Sequence, residues 1–375
     1  MDENFSKEKQ KLDRYLKKAL ENYDLPGLAV GVSWGDFSYE NTEGFRDFSG
    51  KEVLKPAHIF HMASVTKLLV ATSILQLALQ GALDLEEPVI AYLPWFEMAD
   101  ERYKGMTIKQ LLSHTAGMPD LQDYHWDFPE TDEGALERFV RSDEVKKAHL
   151  LWGPEENRFS YSNIGFEILG VVIAHLSGLS FEEYVRRNIF VPFHMEDSTL
   201  LTFERNMDEV CTPHMKDQKK HIVKEPFFPY NRAHGPSSTF TSNLGDLKKF
   251  GKGILAIYND HVQGEIQVLD HESLELAWEE ISQVPNNGER ICMGWFQRAQ
   301  TVTKKDGSQD TFVLYGHEGT DNGFRASFWI CPRLNMHIAV TSNISNAPVK
   351  KINKAVFQLL MSEEPAVSKE MSQGD

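Results

Sequence analysis

Strand-forming sequence is gathered at the two ends of this chain, with a long helical stretch between them, and that arrangement narrows the folds open to it. Leu28–Trp34 and Phe37–Phe45 read as two strands joined at Gly35-Asp36, a hairpin signal. Near the other end, 291–299, 311–317, 324–331 and 335–342 are rich in Val, Ile, Phe, Trp and Thr. From about 82 to 230 the pattern is helices and long loops, with helices expected over 107–113, 133–147, 163–177 and 180–188. Others are expected over 5–22, 64–81, 243–258, 271–281 and 348–361. Strands split this way predict an α+β fold: one antiparallel sheet, flanked by helices, with a mainly helical domain inserted between its halves. The expected boundaries are 1–81 plus 235–362 for the sheet domain and 82–234 for the helical domain, with 363–375 a polar, disordered tail.

Composition excludes several classes. Lys+Arg number 39 and Asp+Glu 55, a formal charge of −16, so a phosphate backbone would be repelled and nucleic acid is not an expected partner. The apolar stretches Leu68–Leu79 and Ile164–Leu176 fall short of the roughly 18 residues that cross a bilayer, so no membrane span is expected. The N-terminus carries no apolar leader, which places the chain as given in the cytoplasm unless a signal has been trimmed. Three scattered cysteines make neither a disulfide framework nor a zinc site. No metal-binding or nucleotide-binding signature appears, so no cofactor is expected, and oligomeric state is not legible.

Short motifs include decoys. Gly31-Val32-Ser33-Trp34-Gly35 matches G-x-S-x-G, but that nucleophile elbow needs a strand running into a helix, and a second strand follows here. Gly251–Ala256 fits G-x-G-x-x-A only inside a helical run. Ser64-Val65-Thr66-Lys67 carries more. Positions three apart share a helix face, so the Lys67 amine can approach the Ser64 hydroxyl. The run that follows is apolar nearly all round, with no acid within four residues of Lys67. Desolvation there lowers a lysine pKa and lets it take a proton from serine. The bland alternative is a capping serine and a snorkelling lysine, and a second S-x-x-K at Ser6–Lys9 shows how little the bare pattern is worth. Tyr161-Ser162-Asn163 lies at a loop-to-helix junction and offers a phenol and an amide, although Asn163 also suits an N-cap. Gly316-His317-Glu318-Gly319-Thr320 borders a turn at Asp321-Asn322-Gly323, where glycine lets a ligand approach the strand.

In order and spacing these elements resemble the penicillin-recognising serine hydrolases, most of all the class C β-lactamase and esterase branch with its CubicO-type peptidases. Phe60–Lys67, Ile108–Pro119, Phe159–Gly165, Pro236–Phe250 and Gly316–Phe324 all look like blocks of that family. The resemblance implies a β-lactamase-like fold and acyl-enzyme chemistry on ester, amide or lactam carbonyls of a small molecule or peptide. Ser64 would be the nucleophile. Lys67 and Tyr161 would share the proton traffic, with either as the base. Asn163 would bond Lys67 and the substrate carbonyl, and the N–H groups of Ser64 and Thr320 would form an oxyanion hole. Substrate would pair along the strand holding Gly319. His317 and Glu318 stand where the family has the first two residues of K-T-G, so a permanent cation is replaced by a mostly neutral group with an acid beside it. The expectation is an esterase or D-amino-acid peptidase rather than an efficient β-lactamase. The rival readings are an α/β-hydrolase esterase using Ser33, and a silent member of the same fold that binds peptides or β-lactams without turnover.

Overall fold

The two ends of the chain meet in the middle of one sheet. A computed structural model describes residues 6–260, 268–304 and 307–361. Its sheet strands are β1 (Gly27–Trp34), β2 (Phe37–Asp47), β3 (Glu52–Val53), β4 (Ser282–Gln283), β5 (Arg290–Ile291), β6 (Phe296–Thr303), β7 (Gln309–Asp321), β8 (Phe324–Cys331) and β9 (Met336–Ser342). They lie side by side as β3-β2-β1-β9-β8-β7-β6-β5-β4. Every neighbouring pair is antiparallel, and β1 is joined directly to β9, Val30 opposite Val340. The alternation of side chains along a strand gives the sheet two apolar faces. Val30, Val32, Leu314, Trp329, Ile338 and Val340 meet the amphipathic helices α1 (Ser6–Tyr23) and α5 (Val349–Met361).

The opposite face meets the helices that carry the site. α2 (Thr66–Leu79), α3 (Asn163–Ser177) and α4 (Leu244–Tyr258) share one continuous core with Ala326, Phe328, Ile330 and Ala339 of the sheet. α2 and α3 are apolar nearly all round because protein surrounds them; no single described helix is long and apolar enough to cross a membrane. The chain thus has the mixed helix and antiparallel-sheet architecture of the β-lactamase-like fold.

Several expected elements end differently. The helix expected over 133–147 is two, Ala135–Val140 and Asp143–Lys146, because Ser142 adopts an extended backbone between them. The one expected over 271–281 stops at Ala277. The strand expected over 291–299 breaks in a turn around Gly294, and that over 311–317 runs through the whole Gly316–Thr320 motif to Asp321. The expected disordered tail lies outside the described residues.

Candidate active site

Ser64 follows a backbone kink. Ala63 has φ +48°, a left-handed conformation that costs a residue with a Cβ on the order of 1–3 kcal/mol. The kink is held on both sides: Met62 N–H donates to the Phe240 carbonyl (2.8 Å) and Thr66 Oγ1 donates to the Ala63 carbonyl (2.6 Å). A single 3₁₀ turn, Ala63–Val65, then leads into α2. Its effect is to leave Ser64 half-buried while every residue from Phe60 to Met62 and from Val65 to Lys67 is buried.

Lys67 is 0% exposed, so its ammonium cannot snorkel. Nζ donates to Ser64 Oγ (3.1 Å), Asn163 Oδ1 (2.7 Å) and the Ser237 carbonyl (2.9 Å). Three acceptors satisfy the three hydrogens of an ammonium. A neutral amine needs one donor instead, and only Ser64 has a proton to give. The geometry therefore directs the lone pair of neutral Lys67 at the Ser64 hydroxyl. Burial lowers the Lys67 pKa to about 8, against the opposing charges of Glu167, Asp120 and Asp321. The sequence around Lys67 holds no acid, but three arrive from other segments.

Asn163 is not the cap of α3. Ser162 is, its Oγ accepting from Gly165 N–H (3.2 Å), which leaves the Asn163 side chain free to turn inward. Asp120 Oδ1 accepts from both Asn163 N–H (2.8 Å) and Nδ2 (2.9 Å), so the amide oxygen faces Lys67 and one Nδ2 hydrogen remains for a ligand. Tyr161 is within hydrogen-bond reach of Ser64, and burial pushes its phenol above its ordinary pKa. Its ring stacks on His114 at 4.3 Å between centroids, and the Lys67 amine lies 5.0 Å from its centre. His114 Nδ1 in turn accepts from Ser162 N–H (3.1 Å), tying the Tyr161 loop to the end of helix Ile108–Leu112.

β7 forms the far wall. A side chain at Gly319 would collide with the Met62 carbonyl, so only glycine lets this strand lie against the turn that presents Ser64. Thr320 is the next residue of β7, with its side chain exposed, so what it can offer the site is its backbone N–H. His317 shares the Gly319 face, with its ring 6.3 Å from that of Tyr161. Its Nδ1 donates to the Glu318 carbonyl (2.5 Å), which leaves Nε2 as a buried acceptor with no partner among the described residues. Burial drives the His317 pKa to about 3, so this position holds a neutral acceptor. Glu318 corrects the sequence reading. It points to the other face of the sheet, where its Oε1 accepts from Trp329 Nε1 (2.7 Å) and Ser327 Oγ (3.1 Å) near Arg298. Alternation along β7 makes this unavoidable, since a residue between two site-facing neighbours faces away. Glu318 is therefore not a substrate-binding residue.

Ser33 is likewise placed away from this site. It lies in the central strand β1, 1% exposed, bonded to His337 Nδ1 of β9 beneath α4, and the next element is β2 rather than a helix. The nucleophile-elbow alternative is overturned by that geometry.

Sequence reading missed a second layer. Asp120, which orients Asn163, stands one residue past the Ile108–Pro119 block. Asp321 Oδ2 accepts from His61 Nε2 (2.7 Å) and Ser238 Oγ (2.5 Å), pinning together β7, the approach to Ser64 and the segment supplying the Ser237 carbonyl. Glu167 was legible as a lone acid in an apolar helix. Among the described residues no group of three or more His, Cys, Asp or Glu is gathered as for a metal ion.

A half-exposed serine on a strained turn, a buried lysine bonded to it, a tyrosine beside both and an antiparallel sheet edge define a serine-hydrolase-like site on a β-lactamase-like fold. The Beta-lactamase family profile matches residues 12–361, and the chain belongs to that family. It is 28% identical over 286 residues to penicillin-binding protein 4* of Bacillus subtilis (strain 168), an alignment covering 73% of this chain and 60% of that protein. The chain spans less than two thirds of the curated relatives it matches, 64% of protein flp of Staphylococcus aureus (strain N315) being another instance. Among solved structures, the octameric penicillin-binding protein homologue from Pyrococcus abyssi superposes with a TM-score of 0.77 at 24% identity, covering 96% of this chain and 77% of that one. The D-amino acid amidase from Ochrobactrum anthropi SV3, complexed with L-phenylalanine amide, gives 0.75 at 20% identity, with 93% and 98% covered. At these identities the structural likeness is one of fold.

Proposed function

We propose that the protein is a serine hydrolase that forms an acyl-enzyme on Ser64, with neutral or amine-bearing esters and amides as substrates. The observation that carries this reading is the Lys67 amine, buried at hydrogen-bond distance from Ser64 and satisfied on its other sides by groups that can only accept. Lys67 is the base: near pH 8 half of it is the free amine, whereas the Tyr161 phenol holds its proton too tightly to take another group's.

In the first step the Ser64 proton passes to Lys67 as Oγ bonds to the substrate carbonyl carbon. The oxyanion that forms meets the N–H groups of Ser64 and Thr320, and Asn163 Nδ2–H holds the substrate's amide side. Collapse breaks the bond to the leaving nitrogen or oxygen, which takes its proton from Lys67 through the Tyr161 hydroxyl. Water then gives a proton to Lys67, attacks the ester, and Ser64 Oγ recovers its proton as the acid leaves.

Substrate preference follows from charge. The site contains Asp120, Glu167 and Asp321, and the only described cation within it is Lys67. His317 Nε2 offers a lone pair, which suits an N–H or ammonium donor and repels a carboxylate. Amides bearing a free amine, such as those of amino acids, are favoured, and the fold likeness to a D-amino acid amidase supports this class. The test is intact-mass analysis after a fluorophosphonate, with peptide mapping. One adduct on Ser64 is expected; an adduct on Ser33, or none, overturns the nucleophile. A hydrolysis panel tests the preference, since a kcat/KM for penicillins of about 10⁶ M⁻¹s⁻¹ or more removes it. His317→Lys is expected to shift selectivity about fivefold towards carboxylate-bearing substrates, one such ion pair contributing about 1 kcal/mol.

A further inference from the structure

Glu167 is 0% exposed in the middle of α3, one turn beyond Asn163, and the mechanism above makes no use of it. A fully buried carboxylate costs several kcal/mol unless hydrogen bonds and a counter-charge offset it. Its hydrogen bonds are few: Ser237 Oγ donates to Oε1 (2.5 Å), His234 Nδ1 lies 3.4 Å from the same oxygen, and among the described residues Oε2 has no partner. Among the described residues neither lysine nor arginine pairs with it directly. Ser237, however, is a two-sided residue, since its hydroxyl grips Glu167 while its carbonyl accepts from Lys67 Nζ. The close packing of Pro236 on Gly170, where a side chain would clash, holds the segment in this position. Carboxylate and amine are thus fixed on opposite sides of one serine, in a region closed to water.

We infer that Glu167 is a positioning residue for the hydrolysis, the buried counter-charge that, through Ser237, sets how firmly Lys67 holds its proton and where its amine points. The inference rests on the assignment of Ser64 and Lys67 as nucleophile and base. The other groups facing Lys67 are Asp120 from the loop before residue 121, Asp321 from β7, the Tyr161 phenol, and the His114 and His317 rings. Both rings are neutral because burial keeps their pKa low, so they do not change charge where Lys67 titrates. Asp321 is already engaged by His61 and Ser238, and Asp120 by Asn163. Glu167 is the largest of the three acidic influences holding the proton on Lys67, and among the described residues no lysine or arginine pairs with its carboxylate, whose nearest basic neighbour is the His234 ring at 3.4 Å. On the Glu167 side, the His234 ring is met edge-on by Tyr124 at 5.1 Å.

The experiment follows the rate of Ser64 phosphonylation by a fluorophosphonate from pH 5 to 10, read by intact mass. In that reaction the Oγ–P bond forms, fluoride leaves and Lys67 takes the proton, so no natural substrate is required. Glu167→Gln keeps the shape and removes the charge; the midpoint of its rise is expected about one pH unit below the wild-type value. One unit below the wild-type midpoint, its rate as a fraction of its own maximum is then about five times higher. Glu167→Asp keeps a charge and stays nearer the wild-type midpoint. Should the glutamine variant not fold, Glu167→Leu must move the midpoint in the same direction, the Ser237 hydroxyl having the His234 carbonyl at 3.4 Å as a second acceptor. A lower rate with an unmoved or raised midpoint means that Glu167 is only structural and overturns the inference. Failure of the wild-type protein to label at Ser64 overturns the hydrolase assignment and this inference with it.

Discussion

Ser33 and Ser64 are both hydrogen-bonded to a basic side chain, and the two pairs sit in opposite surroundings. Ser33 meets His337 between two central strands, and Ser64 meets Lys67 at the head of α2. The first pair satisfies the local chemistry of a nucleophile and its base. Yet it is sealed beneath α4, burial drives the His337 pKa to about 3, and regular strand backbone surrounds it. The second has a kinked approach at Ala63, a half-exposed hydroxyl, an amine whose pKa burial lowers to about 8 and a strand edge laid alongside. A serine–base contact in a folded chain is therefore a weak sign of catalysis. Access, strain and nearby donors distinguish the pair to which the chemistry is assigned.

The comparison can be broken most directly at Lys67. Lys67→Met should lower hydrolysis and Ser64 labelling by about 10³-fold, with the circular dichroism spectrum unchanged. A loss smaller than tenfold would pass the role of base to Tyr161. A smaller effect is expected at Asp321, where Asp321→Asn keeps the shape but weakens the tie between β7, His61 and Ser238. The expected loss is about 10–100-fold in kcat with KM little changed, as for a displaced oxyanion donor. Ser33→Ala should show the smallest effect on activity, with labelling of Ser64 within about twofold of wild type. Its signature is instead stability: a buried His337 nitrogen left without its partner costs about 1–3 kcal/mol, read by urea denaturation. Loss of activity in a folded Ser33→Ala protein would erase the distinction between the pairs.

What the sequence made legible was the part governed by local rules. The apolar run after Lys67 and the serine three residues before it reflect helix periodicity, and the hairpin at Gly35-Asp36 reflects turn chemistry. Alternation along β7 also follows a local rule, but the motif reads as one block, so Glu318 was grouped with His317 although the pleat sends them to opposite faces. The acids around Lys67 were harder to see. Asp120 and Asp321 are 53 and 254 residues further along the chain, and nothing local in either marks the partner it will meet. Glu167 differs, since an acid in a helix otherwise apolar all round implies burial and a compensating neighbour. Its partner, Ser237, is supplied by a segment 70 residues on.

The pairing of β1 with β9 bears on how the protein is made. Every group assigned to the chemistry lies before residue 322, yet the second edge of β1 is not covered until Met336–Ser342 has been synthesised. A nascent chain halted after β8 would carry the full catalytic complement and still lack the strand that fastens its beginning to the rest. Until then β1 presents an open apolar edge, a template for pairing with other chains. The proposed chemistry is thus withheld until Met336–Ser342 has been made and paired with β1, and in a ribosome-stalled series labelling of Ser64 should appear abruptly at that point rather than by degrees.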